Sequence, residues 1–419
     1  MDLRFKVVIW AAAALVLVFA LFHSGIRETR FWLSFSLGAV VILPAARRLP
    51  LSAAFGAAVL ACGLTGVHAG AEPVGSVGRH YVDEHRRNWD QNGPRPLETT
   101  VWYPASLPVV GQPPVAQPAN LPFEVSPALP DAPLAAQRDQ YPLILISHGT
   151  GGCALNVEWL GHYFAERGYI VAAVNHHGNT CGEAKADPRG YMLSWERPQD
   201  LSAVLDRLLD DAMFGPHIDR QKIGAAGFSL GGYTVIALAG GRLDRRRFDR
   251  FCASPARDFT CGPQPEFPEA PAQLQAFEAS DPVVRDALKH SGDSYRDPRV
   301  RAVFAMAPVL GGGFARKDLA DIDIPVEIVV GEGDTTAPRK TNAERYAALI
   351  RGAQLVELPG QVGHYDFMPV CTDAGVELFA KINAQRLCHD VPGADRRQVH
   401  ETVDALALKF FDRSLAGRP

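Results

Sequence analysis

Gly227-Phe228-Ser229-Leu230-Gly231-Gly232 is the most informative segment of this 419-residue chain. It follows a short apolar run at residues 223–228 and opens an apolar stretch with helical spacing. A Gly-x-Ser-x-Gly turn between a strand and a helix is sharp, and its glycines avoid side-chain clashes on either side of the serine. The hydroxyl then projects above the sheet at a helix N-terminus. We predict that Ser229 is a nucleophile, with Gly227 and Gly231 shaping its turn; the alternative is an ordinary glycine-rich turn.

Around this segment, short apolar or β-branched runs alternate with longer amphipathic stretches. Such alternation predicts βαβ units, and therefore a mainly parallel sheet with helices on both faces. Two earlier runs flank a polar segment that contains glycine and proline, which indicates an antiparallel hairpin at one edge. The eight predicted strands are residues 80–85, 98–103, 143–147, 170–175, 223–228, 300–306, 326–331 and 355–358. Helices are predicted at residues 155–167, 198–214, 230–239, 339–351 and 396–415.

Two intervals interrupt this rhythm within the predicted α/β domain at residues 72–419. Residues 104–142 are rich in proline and indicate a surface excursion. Residues 241–298 are polar and contain prolines and cysteines, and they fall where a cap over the carboxyl edge of the sheet would be inserted. The arginine-rich run at 242–250 inside this cap also carries aspartates, so we interpret it as a solvated helix face.

A serine hydroxyl needs a general base, and the base needs a carboxylate to orient it. After this kind of turn the acid comes first along the chain and the histidine second. Asp334 follows the predicted strand at 326–331, and His364 follows the next strand, so both fall at the carboxyl edge with Ser229. We predict these two residues as acid and base. The less favoured alternatives are Glu332, Asp321 and Asp323 for the acid, and His290, His389 and His400 for the base.

An oxyanion hole needs backbone N–H groups that point at the developing negative charge. We predict that Leu230 supplies one and that Thr150, in the loop His148-Gly149-Thr150-Gly151-Gly152, supplies the other, with Gly149 or Gly151 as alternatives. No Lys-Ser or Lys-Thr follows this loop, so a phosphate-binding loop is not expected and no cofactor is predicted. The adjacent His176 and His177 would point apart on an extended segment, and no zinc motif is present, so we predict structural or substrate-lining roles and no metal.

The overall charge excludes one class of partner and the N-terminus suggests another. With 42 Lys and Arg against 46 Asp and Glu, the net charge of -4 does not favour nucleic acid. Residues 7–26, 31–46 and 49–71 are uncharged and mostly apolar, and a bilayer span needs roughly 17–25 such residues. We predict a membrane anchor of two or three transmembrane helices at residues 1–71. The alternative is that residues 49–71 act as a signal segment.

The distribution of charge and of cysteine predicts where the domain resides. Arginine and lysine flank the apolar runs in a pattern that places the N-terminus inside, so the domain would be periplasmic or extracellular and tethered to the inner membrane. Apart from Cys62 in the apolar segment, six cysteines remain, and an even number in an exported domain suggests disulfides. Proximity along the chain favours Cys252 with Cys261 and Cys371 with Cys388, which leaves Cys153 with Cys181. The alternative is six buried free thiols.

The segments at residues 146–149, 227–232, 329–334 and 363–367 together resemble a known family. They resemble the serine α/β-hydrolases called predicted dienelactone hydrolases, which are related to platelet-activating-factor acetylhydrolase. The resemblance runs from about His80 to Leu415 and implies an α/β-hydrolase fold and an esterase mechanism. Dienelactone hydrolases proper use a cysteine where this chain has Ser229. The acetylhydrolases place the acid after the strand that follows the nucleophile helix, where this chain has no carboxylate, so Asp334 is the acid that the resemblance leaves.

These observations predict a serine hydrolase that cleaves a small-molecule or lipid ester through an acyl-enzyme. One alternative is an acyltransferase that passes the acyl group to a lipid or glycan acceptor. Another is a catalytically inert, membrane-tethered binding module, which would be expected to have lost part of the Ser-Asp-His set. The sequence retains all three residue types in the expected order.

Overall fold

A computed structural model describes residues 72–106 and 120–416 of the protein. The predicted membrane anchor at residues 1–71, including Cys62, lies outside the described residues, as does part of the proline-rich excursion. Within the two described ranges, no helix combines the length and the apolar character that crossing a bilayer requires.

A single mixed sheet forms the centre of the described structure. Its strands are β1 (Val74–Arg87), β2 (Pro94–Pro104), β3 (Leu129–Pro130), β4 (Tyr141–Ser147), β5 (Ile170–Val174), β6 (Ile218–Phe228), β7 (Ala302–Met306), β8 (Val326–Gly331) and β9 (Gln354–Leu358). The strand order is β3-β1-β2-β5-β4-β6-β7-β8-β9. Strands β4 to β9 pair in parallel, whereas β1 and β2 form an antiparallel hairpin that joins β5.

The predicted mainly parallel sheet and its edge hairpin are confirmed, but the predicted count of eight strands was wrong. The ninth strand, β3, pairs with β1 over only two residues, one of which is Pro130. So short a strand within a proline-rich segment has no alternation that could reveal it.

The central strands β4, β5 and β7 are almost entirely apolar because helices cover both faces of the sheet. Successive side chains on a strand point to opposite faces, so Leu143 and Leu145 of β4 pack in one core and Ile144 and Ile146 in the other. All four side chains are completely buried. The continuous apolar runs that predicted these strands therefore reflect two separate cores.

Ten α-helices accompany the strands in the described ranges. They are α1 (Glu158–Ala165), α2 (Pro188–Met192), α3 (Arg197–Asp210), α4 (Leu230–Leu238), α5 (Arg245–Cys252), α6 (Ala270–Ser280), α7 (Pro282–Lys289), α8 (Ala343–Leu349), α9 (Asp373–Lys381) and α10 (Arg396–Leu415). Helices α3 and α4 contribute to the core on one face of the sheet, and α1 and α10 to the core on the other. Helices α5 to α7 fall in the interval predicted as a cap.

Three disulfides link the six cysteines of the described structure. The pairs are Cys153–Cys181, Cys252–Cys261 and Cys371–Cys388. The predicted disulfides are thus confirmed, and the alternative of six free thiols is wrong.

Candidate active site

Ser229 occupies the sharp turn between β6 and α4, with a positive φ of 56°. A non-glycine residue rarely adopts this backbone conformation, so the surrounding structure must hold it there. The Ser229 N–H donates to the carbonyl of Met306 on the neighbouring strand at 2.8 Å. A Cβ at Gly227 would collide with the backbone of Gly231, and a Cβ at Gly231 would collide with the carbonyl of Ser147. Both positions therefore require glycine.

His364 and Asp334 lie beside Ser229, although they are distant in sequence. His364 Nε2 lies 2.9 Å from Ser229 Oγ, and His364 Nδ1 lies 2.8 Å from Asp334 Oδ2. The other oxygen, Asp334 Oδ1, accepts the N–H of Ala337 at 2.6 Å. All three residues are buried, with Ser229 the most exposed at 8%. The loops after β6, β8 and β9 thus meet at the carboxyl edge of the sheet.

The hydrogen bonds of this group determine where its protons lie. An ionised carboxylate only accepts, so the proton facing Asp334 belongs to His364 Nδ1. In the neutral ring Nε2 is then an acceptor, and the Ser229 hydroxyl donates to it. This is the arrangement in which an imidazole can remove the hydroxyl proton as the oxygen attacks an electrophile.

The alternative acids and bases lie elsewhere. Glu332 is exposed, and its Oε2 accepts the N–H of Gly360 at 2.9 Å. Asp321 and Asp323 pair with surface arginines. His290 pairs with Asp293 on the surface, and the His400 ring stacks on Trp159 with centroids 4.1 Å apart.

Two backbone N–H groups near Ser229, those of Leu230 and Thr150, have no acceptor among the described residues. The N–H of Leu230 is at the first turn of α4, where no helical acceptor is available. Neither this group nor the N–H of Thr150 donates a hydrogen bond among the described residues. The N–H of Gly151, by contrast, is bound to Asn179 Oδ1 at 2.6 Å. The N–H of Gly149 likewise has no acceptor among the described residues, so Leu230, Thr150 and Gly149 can donate to a developing oxyanion, whereas Gly151 cannot.

Two cavities meet at Ser229, and both are bordered by Thr150, Gln264 and Thr336. The first, which we call the cap cavity, has a volume of about 380 Å³ and lies against α2, α5 and α6. The second, which we call the histidine-side cavity, has a volume of about 430 Å³ and is lined by His364 and α9. The arginine-rich helix α5 has no buried residue, as expected for a solvated face, yet its Phe248 lines the cap cavity.

A second Ser-His-Asp group lies next to the loop at residues 148–152, and the sequence analysis did not identify it. His176 Nε2 is 2.9 Å from Ser147 Oγ, and His176 Nδ1 is 2.9 Å from Asp200 Oδ2. Ser147 and Asp200 are fully buried and His176 is 1% exposed. Because no substrate can reach a fully buried hydroxyl, this group is structural.

Arg197 joins this buried group to the loop at residues 148–152. Its Nη2 donates to the carbonyl of His148 and, at 3.3 Å, to Ser147 Oγ. Burial lowers the pKa of Arg197 to about 9. Burial and the nearby Arg197 cation lower the pKa of His176 to about 3, so this ring is neutral at physiological pH. Burial alone would raise the pKa of Asp200, but the Arg95 and Arg86 cations hold it well below its usual range.

The two adjacent histidines both have structural contacts. His177 Nδ1 lies 2.8 Å from Glu183 Oε1, and its Nε2 accepts the N–H of Trp89 at 3.3 Å. His176 follows the end of β5 and therefore lies at the carboxyl edge of the sheet. This position was the one feature of the sequence that pointed to the buried Ser147, His176 and Asp200 group. Within the ranges that the structure describes, no group of three or more His, Cys, Asp or Glu side chains is arranged to hold a metal ion.

Comparisons with known proteins agree with this architecture. Residues 143–380 match the sequence profile of the alpha/beta hydrolase family. Platelet-activating factor acetylhydrolase from Cavia porcellus is 26% identical over 137 residues, which cover 23% of this chain and 31% of that protein. The chain thus matches less than a third of that relative's length. The solved structure of a ferulic acid esterase from Streptomyces cinnamoneus superposes with a TM-score of 0.53 at 21% identity, covering 84% of this chain and 93% of that one. This likeness shows a shared fold.

Proposed function

The chain belongs to the alpha/beta hydrolase family, and from this premise we propose that it is a serine hydrolase that cleaves carboxylic esters through an acyl-enzyme. One observation carries the proposal: the Ser229 hydroxyl is hydrogen-bonded to His364, His364 to Asp334, and Ser229 borders two cavities that can admit a substrate. The names of the acetylhydrolase and esterase relatives support an ester as the substrate.

In the proposed reaction, Ser229 Oγ forms a bond to the ester carbonyl carbon while His364 Nε2 takes the hydroxyl proton. Asp334 stabilises the imidazolium, and the N–H groups of Leu230 and Thr150 bind the carbonyl oxygen as it becomes negative. The carbon–oxygen bond to the alcohol then breaks, and the proton passes from Nε2 to the leaving oxygen. Water activated by the same imidazole releases the acid and restores Ser229.

The two Ser-His-Asp groups supply a matched control for testing this proposal. A fluorophosphonate probe should label the wild-type protein and the Ser147→Ala variant, and fail to label Ser229→Ala. Ser229→Ala should also lose hydrolysis of p-nitrophenyl butyrate while its circular dichroism spectrum is unchanged. Labelling that persists in Ser229→Ala would contradict the nucleophile, and an unlabelled wild type would indicate an inert binding module. Transfer products formed with added acceptor alcohols would favour acyl transfer over hydrolysis.

We also propose that the hydrolase domain is outside the cytoplasm and tethered to the inner membrane. The apolar segments at residues 1–71 and the three disulfides support this location, because disulfides persist in oxidising compartments. When the protein is produced in a bacterium, the domain should be degraded by protease added to spheroplasts and survive in intact cells. Survival in spheroplasts whose periplasmic markers are digested would place the domain in the cytoplasm instead.

A further inference from the structure

We propose, on the basis of the function above, that the substrate is an ester with an apolar group on each side of the scissile bond. Its acyl group would occupy the cap cavity and its alcohol the histidine-side cavity. Ser229 lies where the two cavities meet, so an ester bound with its carbonyl carbon at Oγ has room in both directions.

The position of His364 determines which cavity holds the alcohol of the ester. When the acyl-enzyme forms, the breaking bond leaves an oxygen that must receive the proton held on His364 Nε2, and this transfer needs hydrogen-bond contact. His364 lines the histidine-side cavity and does not line the cap cavity. The leaving oxygen, and the alcohol attached to it, must therefore lie in the histidine-side cavity.

The oxyanion donors assign the acyl group. With the carbonyl oxygen at the N–H groups of Leu230 and Thr150 and the alcohol beside His364, the remaining substituent of the carbonyl carbon faces the cap cavity. Tyr191, Phe267 and Leu274 are among the apolar side chains there. An acetyl group would leave most of the roughly 380 Å³ empty, and this volume is within the range of about 300–1,000 Å³ for pockets that hold whole ligands.

The charges around the histidine-side cavity favour an uncharged alcohol. Among the described residues that line it, Glu266 is the one carboxylate, and Glu266 Oε1 already accepts a hydrogen bond from Arg386 Nη2 at 3.0 Å. Tyr365, Met368 and Leu378 supply apolar surface beside it. A charged alcohol would lose its hydration there without gaining a partner.

Two ester series and two pairs of variants test the assignment. One series holds p-nitrophenol constant and lengthens the acyl chain; the other holds butyrate constant and enlarges the alcohol. Leu274→Trp narrows the cap cavity, and Gln275→Trp on the exposed side of α6 is its control. Leu378→Trp narrows the histidine-side cavity, and Val376→Trp is its control, because Leu378 and Val376 are 44% and 42% exposed on the same helix.

We expect Leu274→Trp to lower kcat/KM for long acyl chains relative to acetate by about tenfold or more, because a pocket discriminates by that factor per methylene that no longer fits. Across the alcohol series, kcat/KM of Leu274→Trp should follow the same order as in the wild type. Leu378→Trp should lower kcat/KM for esters of large alcohols and leave the order of the acyl series unchanged. The two control variants should follow the wild type in both series. Exchanged effects, or equal effects of each variant on both series, would overturn the assignment.

Two further measurements keep the outcome unambiguous. Leu274 is buried, so a second variant is needed in case Leu274→Trp does not fold. Phe259→Ala serves this purpose, because Phe259 lies at the rim of the same cavity and is 46% exposed. This variant should raise relative kcat/KM for bulky acyl groups, and no change would count against the assignment. Fluorophosphonate labelling of the wild type is measured first. Absence of labelling refutes the proposed function, whereas labelling with the wrong substrate trends refutes the assignment alone.

Discussion

Replacing Asp334 by asparagine should place the wrong tautomer of His364 beside Ser229. Asp334 Oδ1 accepts the Ala337 N–H at 2.6 Å and Oδ2 faces His364 Nδ1 at 2.8 Å. Asparagine has one oxygen, and that oxygen must face the backbone N–H, since otherwise two donors would oppose each other. The amide NH₂ would then point at Nδ1, which would become an acceptor. The proton would move to Nε2, which could no longer accept the hydroxyl proton of Ser229.

The expected loss is large because the whole step depends on this proton. In a serine protease, the same change, acting through the same wrong tautomer, lowers kcat by about 10⁴. A factor of 10⁴ is about 5 kcal/mol of transition-state stabilisation at about 1.36 kcal/mol per factor of ten. KM should change little, because Asp334 lies behind His364 and does not line either cavity.

Glu332→Gln is the matched control from the same loop. Glu332 is exposed, and glutamine keeps an oxygen that can accept the Gly360 N–H, so activity should stay close to wild type. Both variants are assayed with p-nitrophenyl butyrate under saturating substrate, and their folding is checked by thermal denaturation. The reasoning is refuted if Asp334→Asn keeps more than about a tenth of the wild-type kcat, a loss of under about 1.4 kcal/mol, or if Glu332→Gln loses as much.

Three further changes should have measurable effects. Arg197→Met should lower kcat more than it raises KM, with partial rescue by Arg197→Lys, because Arg197 holds the carbonyl two residues before Thr150; equal changes in both constants would contradict a positioning role. Burial raises the pKa of Asp404 to about 8, above its value near 3.8 in the unfolded chain. The contribution of the protonated carboxyl to the free energy of unfolding should therefore be fully present below about pH 3.8 and be lost as the pH rises through about 8. Asp404→Asn should flatten this fall in Tm, and an unchanged pH profile would contradict it. Replacing Cys153 and Cys181 together by serine should lower the free energy of unfolding in urea by about 3–4 kcal/mol, since they are 28 residues apart; an unchanged midpoint would show that the bond does not stabilise the domain.

The elements that could be predicted from the sequence are those that a short stretch of residues is enough to identify. Residues 143–146 in β4, 223–228 in β6 and 328–331 in β8 are uninterrupted apolar runs because both faces of the sheet are buried there, and such runs are visible without a structure. The predicted catalytic residues fall in the loops directly after strands, where the topology of a parallel sheet brings them to one edge. The final helix, α10, has the predicted bounds Arg396–Leu415.

The features that the sequence did not predict depend on distant contacts. The predicted helix at residues 339–351 begins at Ala343 in the structure, after turns at residues 335–342. The buried group of Ser147, His176 and Asp200 combines residues from β4, the loop after β5 and α3, and no spacing along the chain connects them. The shape of the cap cavity likewise depends on how α5 and α6 pack, since Phe248 reaches it from a helix with no buried residue.

The disulfides also bear on how the protein matures. The three pairs join cysteines that are 28, 9 and 17 residues apart, and each cysteine from Cys153 onward bonds to its immediate neighbour in the series. In the exported location that we propose, an oxidant that joins these six cysteines in the order in which they emerge from a translocation channel forms the native pairs directly. Of the 15 pairings that six cysteines allow, this is the one that needs no later exchange. Oxidative maturation of the domain should accordingly proceed without a disulfide isomerase.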